Sequence, residues 1–163
     1  MANMARFLDP VRPLRLKGSI FPLVDSGHVF CLLNHLRENR FPQANDADFI
    51  RERADHAAEV YEQARRDALF ADAAQELAMA ALLKGLRFSK YSILYDVVDR
   101  EFPLEVAVED LEAFVKNLLP LVDNVYSIYD LTDDDFAQSP DYEQLYTELT
   151  GAVALFIESN GVQ

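Results

Sequence analysis

Apolar residues recur along this chain at alternating steps of three and four, the spacing that keeps one face of a helix buried. No stretch shows the two-residue alternation of a half-buried strand, and no Asn-Gly or Asp-Gly dipeptide joins two strand-like runs. The pattern predicts about six helices. The first starts after Ser26, presents Val29, Phe30, Leu32, Leu33 and Leu36, and stops near Phe41 at "RFP". The second follows Asn45 or Asp46 with the stripe Ile50, Ala54, Ala57, Tyr61, Ala64 and Ala68, whose alanines let a neighbouring helix approach closely. A third is expected to be capped by Asp72 and ended by Gly85, which accepts the left-handed conformation other residues resist.

Ser89 is placed to cap a fourth helix that buries Ile93, Leu94, Val97, Val98 and Phe102 and ends at Pro103. A fifth is expected from Val106–Val108. Its stripe of Leu111, Val115, Leu118, Val122, Val125 and Tyr129 keeps register through Pro120, which predicts one helix kinked there. The sixth has Ser139 at the cap, Pro140 at the first helical position, and Asp141 and Glu143 in the first turn. Tyr142, Leu145, Leu149, Ala152 or Val153, and Phe156 form its stripe, and Gly161 ends it. Stripes of this kind need one another for cover, so an all-α multihelical bundle is expected as a single domain over residues 26–163. Residues 1–25 have no helical period. They read as an irregular basic arm punctuated by Pro10 and Pro13, or as an over-long gene start containing both Met1 and Met4.

Composition adds electrostatics to this picture. The net charge of −13 is concentrated in residues 101–163, where Lys116 stands alone against fourteen acidic side chains. Such a surface repels nucleic acid and anionic membrane and favours basic partners or divalent cations, or simply keeps a protein soluble. Neither a membrane-spanning apolar run nor a secretory signal is present, and the single Cys31 suits a reducing compartment, so a cytoplasmic location is expected.

Candidate chemistry is sparse. His28, Cys31 and His35 fall at i, i+3 and i+7 and could face a metal together, but a fourth ligand is missing, and a small buried cysteine with histidines flanking the core is the better explanation, so no metal is expected. "DLTDDDFAQSPD" resembles a calcium loop in spacing but lacks its central glycine and its terminal glutamate. No nucleophile elbow, phosphate-cradling glycine loop or zinc-protease motif occurs, and no cofactor is expected. Lys84, Arg87 and Lys90, beside Phe88 and Tyr91, form the least compensated basic concentration outside the arm. They are candidates for contact with an anion or a partner, or else complement helix dipoles and nearby acids.

The stretches "DADFIRERADHAAEVYEQA", "GLRFSKYSILYDVVDREF", "LLPLV" and "YEQLYTELTGAVALFIESNGVQ" resemble a family of uncharacterised small helical proteins, a domain of unknown function, from anaerobic Gram-negative bacteria. The resemblance covers about residues 27–163. It implies a multihelical cytoplasmic protein, often encoded near conjugative elements, and assigns no activity to any position.

The reading that follows is a non-enzymatic accessory protein that binds an unidentified, basic protein partner through its acidic C-terminal helices, with no direct contact to nucleic acid or membrane. Three alternatives accompany it. A DNA mimic would need carboxylates ruled like phosphates along one exposed face. A small enzyme would show converging, desolvated polar groups. A homodimer would expose a contiguous apolar patch on the sixth helix.

Overall fold

Among residues 26–161, which the computed structural model describes, every regular element is helical, and the expected all-α fold is what the chain adopts. In order these are α1 (Ser26–Glu38), α2 (Ala47–Arg66), α3 (Ala71–Leu82), α4 (Lys90–Glu101), α5 (Leu111–Val122) and α6 (Pro140–Asn160), with 3-10 turns at Pro42–Asn45, Asp123–Ile128 and Phe136–Gln138. The basic arm expected over residues 1–25 lies outside the described residues.

Helix starts follow local hydrogen-bond chemistry. Asp46 Oδ1 accepts from the Phe49 N–H at 3.0 Å, satisfying a donor that the first turn of α2 leaves open. At α4, Ser89 Oγ accepts from the Ser92 N–H at 2.9 Å while Ser92 Oγ accepts from the Ser89 N–H at 3.1 Å, a reciprocal box closed by two serines. Ser89 is buried, so its loss would leave donors without water to satisfy them. Ser89→Ala is expected to lower stability by about 1–2 kcal/mol in urea denaturation. Ser92→Ala, which removes the bonds of the Ser92 hydroxyl but leaves Ser89 Oγ to accept from the residue 92 N–H, is expected to cost less.

Several ends depart from the sequence pattern. α3 is entered through Phe70, with Asp72 inside its first turn rather than at the cap, and Leu83 rather than Gly85 caps its end. α1 stops at Glu38, and Arg40 takes the left-handed φ of 52°. Residues 103–110 wind as turns held by bonds such as Asp110 N–H to Ala107 O at 2.9 Å, so α5 begins at Leu111 and not at Val106–Val108. Pro120 lies inside α5, whose buried set Leu111, Val115, Leu118 and Val122 passes through it unshifted. Beyond Val122 the winding tightens to 3-10 as far as Ile128. Ser139 precedes α6 without capping it, since its hydroxyl donates instead to the Phe136 carbonyl at 2.7 Å; Pro140 at the first position lacks an N–H to satisfy. Gly161 closes α6 in the left-handed conformation at φ 59°.

The described residues divide into two units. The first holds α1 and Pro42–Leu83. α2 and α3 share the most extensive helix–helix contact here, built on Ala54, Ala57, Ala64, Ala74 and Ala78, and α1 packs on both with Leu32 and Leu36 buried. α3 has no basic residue in its last turn. Arg53 reaches over from α2 instead, its Nη1 3.5 Å from the carbonyls of Ala81 and Leu82, where a cation complements the negative helix end.

The second unit holds Asn39–Phe41 and the chain from Lys84 onward. α4 packs against both α5 and α6. Leu94, Val97, Val98, Val115, Leu118, Leu145, Leu149 and Val153 form the fully buried centre. Arg40 contributes from the short segment, lying 5.0 Å over the Tyr91 ring and pairing with Glu112 Oε1 at 2.5 Å.

Candidate functional site

The segment Lys84–Ser89, which leads into α4, and Lys90 at the start of that helix carry the cations singled out in the sequence. Arg87 Nη1 donates to the Asp134 carbonyl at 3.1 Å, and Lys90 Nζ pairs with Asp123 Oδ1 at 2.6 Å, 5.7 Å from the centre of the Tyr126 ring. Gly85, at φ 74°, donates its N–H to Asp134 Oδ1 at 3.0 Å. A Cβ there would meet the Thr132 carbonyl at 3.5 Å, so the objection to a side chain is conformational more than steric. Phe88 sits edge-on to Phe136 at 5.9 Å and tilted against Tyr142 at 6.4 Å. Tyr91 is buried under Arg40. The lead-in to α4 is thus clasped by the segment 132–136, and the charges of Arg87 and Lys90 are engaged by the chain's own oxygens.

The acidic loop turns inward in the same way. Asp130 Oδ1 accepts from the Thr132 hydroxyl at 2.6 Å and from its N–H at 3.0 Å, bonds that hold the Asp130 carboxyl below its ordinary range. Asp133 Oδ1 accepts from the Asp135 N–H at 2.9 Å, and Asp134 serves Gly85. These are turn-forming bonds of aspartates to their own backbone neighbourhood.

His28 and Cys31 are half-buried on α1; burial pushes the imidazole pKa down and the thiol pKa up, which disfavours the thiolate that a metal requires. Among the described residues no three His, Cys, Asp or Glu side chains gather as a metal site, and His28, Cys31 and His35 make none. Two perturbed phenols act as donors. Tyr126 Oη donates to the Lys90 carbonyl at 2.8 Å, and burial raises its pKa. Tyr146 Oη donates to Glu101 Oε1 at 2.9 Å, and burial together with that carboxylate pushes it up to about 12, so it keeps its proton at neutral pH.

One surface feature was not singled out in the sequence. The C-terminal halves of α5 and α6 leave a shallow groove of about 330 Å³. Its rims are Leu121 and Leu155, 63% and 65% exposed, one from each helix. Between them lie Leu118, Val122, Ala152 and Phe156, and the Phe114 and Phe156 rings meet edge-to-face at 5.9 Å. Ser159 and Asn160 also line it, but their side chains donate back to the Leu155 and Phe156 carbonyls at 2.7 and 2.8 Å. No lining side chain is ionisable, so the groove offers apolar contact rather than acid, base or charge. The signal available in the sequence was residual: Leu121 and Leu155, with Phe114, Leu119 and Ile157, are large apolar residues of these helices left over once each buried stripe is assigned.

Comparison with known proteins places this architecture. The sequence profile of the family described as "Domain of unknown function (DUF1896)" matches residues 26–162. The chain belongs to this family. Among solved structures the chain is similar to protein PG0816 from Porphyromonas gingivalis, which is 37% identical, superposes with a TM-score of 0.74, and is matched over 85% of this chain and 93% of its own. No curated protein matches the chain. The DUF1896 match starts at residue 26, where α1 begins, so the helices described above are family structure. No helix of the described residues is long and apolar enough to cross a membrane.

Proposed function

We propose that this DUF1896 protein is a non-enzymatic interaction protein that binds a basic protein partner through the acidic surface of its C-terminal unit, as accessory work in the mobile-element setting that the family resemblance implies. One observation carries the reading: residues 101–163 set fourteen acidic side chains against Lys116, and of the four acids on α6 all are exposed with no basic residue on that helix to balance them. Exposed charge of one sign steers an oppositely charged partner and rejects like-charged ones. The carboxylates come from α4, the turn 103–110, α5, the segment 123–135 and α6, instead of being ruled along one helix, which favours a protein with clustered cations over imitation of a DNA backbone.

The test is affinity capture from the native host at low and moderate salt, with the wild-type chain and with the charge-reversed variant E143K/E148K/E158K. Capture that the wild type loses as salt is added, and that the variant lacks at low salt, is the expected result. A partner retained equally by both proteins at both salt concentrations refutes the electrostatic reading.

A further inference from the structure

Resting on the reading just given, we infer that the apolar groove between the C-terminal halves of α5 and α6 is the seat for an amphipathic, cationic helix of the partner protein. Leu121 and Leu155 face solvent from opposite walls, and the polar side chains beside them are turned back onto α6. Scattered exposed leucines are ordinary, but two that rim one continuous apolar trough form a patch, and patches mark contact sites. Two helices packed side by side on a third leave a trough of helical period, which suits apolar side chains spaced i, i+3 or i+4, and i+7 on a fourth.

Charge decides between occupants. Neither α5 nor α6 has a basic residue in its own last turn, so neither helix supplies a cation to its own negative dipole end at the groove. Glu148 and Glu158 flank Leu155 on α6, and Asp123 at the end of α5 is neutralised by Lys90. A second copy of this chain would bring the same acidic surface against itself, a repulsive arrangement. A helix with leucine-like residues on one face and lysine or arginine flanking them fits both the trough and its surroundings.

The experiment uses the full chain and a fluorescein-labelled, 18-residue synthetic peptide of leucine and lysine patterned as an amphipathic helix. Three control peptides accompany it: the leucine–glutamate counterpart, a sequence-scrambled peptide of identical composition, and oligolysine of equal charge. Binding is read by fluorescence anisotropy at moderate salt, and the oligomeric state by light scattering. The patterned cationic peptide is expected to bind at least about tenfold more tightly than any control, and L121S/L155S is expected to lose at least about tenfold of that affinity, each tenfold being about 1.4 kcal/mol. Both leucines are exposed, so the variant keeps its core, and an unchanged circular-dichroism melt verifies this.

Equal binding of scrambled or oligolysine peptides, unaffected by L121S/L155S, overturns the groove as the seat while leaving the acidic-surface reading intact. A wild-type dimer that L121S/L155S converts to monomer overturns it in favour of a second copy. No binding of the patterned peptide overturns it as well, and the host capture with E143K/E148K/E158K then decides independently whether the acidic surface has a partner.

Discussion

Replacing Phe136 with alanine is expected to cost about 3–5 kcal/mol, enough to unfold a large fraction of a marginally stable unit. Phe136 is 2% exposed, and three rings meet it edge-on: Phe88 at 5.9 Å, Tyr129 at 6.2 Å and Tyr142 at 5.7 Å. Each such pair contributes about 0.5–1.5 kcal/mol beyond the area it buries. The ring also seats the segment that clasps the lead-in to α4, where Asp134 receives the Gly85 N–H and Arg87. Losing the ring therefore removes burial, ring contacts and the support of two long-range hydrogen bonds together. Phe136→Leu keeps most of the apolar volume and is expected to cost less than half as much. Six of the seven tyrosines lie at or beyond Tyr91, so urea denaturation followed by tyrosine fluorescence reports this unit selectively. A loss below about 1 kcal/mol for Phe136→Ala would show that the ring cluster is not the keystone of that lead-in.

That keystone was only half legible. The stretch "KGLRFSKY" reads as a glycine, an anchoring Phe88 and a serine cap, and Ser89 does cap α4. What local spacing cannot contain is the other half of the clasp, some fifty residues downstream, in Thr132, Asp134 and Phe136. The same limit explains the misplaced ends. Periodicity extends α5 back to Val106–Val108 because valines at those positions continue the pattern. Val106 is indeed buried, yet it is delivered by a turn, and Val108 is 79% exposed. Asp72 has the side chain of a cap, but the chain enters α3 through extended Phe70, whose carbonyl accepts from the Ala74 N–H at 3.0 Å and so starts the helix two residues early. Buried stripes, set by the requirement that apolar surface leave water, were readable. Helix ends, settled by hydrogen bonds of similar worth competing over two or three residues, were less so.

The groove was hidden for a different reason. Taken singly, Leu121 and Leu155 are two among several apolar residues that the buried stripes leave over, and a lone exposed leucine is ordinary. Only when Leu118 and Val122 of α5 are set beside Ala152 and Phe156 of α6 do the two leftovers become opposite rims of one surface. Candidate residues chosen for their chemistry fared otherwise: Arg87, Lys90 and Asp130 are held by internal partners. A charged side chain in sequence is an offer of interaction, and the fold takes up many such offers itself.

Ala57→Leu tests the packing of the first unit, where two opposing effects must be weighed. Burying the added leucine carbons would contribute about 1.5–3 kcal/mol of stability if space existed for them. Ala57 is 0% exposed, as are Ala54, Ala74 and Ala78, and this alanine seam is what allows α2 and α3 their extensive contact. Close-packed interiors do not absorb three extra carbons without moving backbone or forcing rotamers, at about 1–3 kcal/mol. Helix propensity does not confuse the comparison, since leucine and alanine are both strong helix formers. The substitution is therefore expected to destabilise by about 1–3 kcal/mol, whereas Ala80→Leu on the exposed side of α3 stays within about 0.5 kcal/mol of the wild type. Far-UV circular dichroism through a urea titration measures both. Stabilisation by Ala57→Leu would mean that the seam has slack, and that alanine sits there for some reason other than close approach.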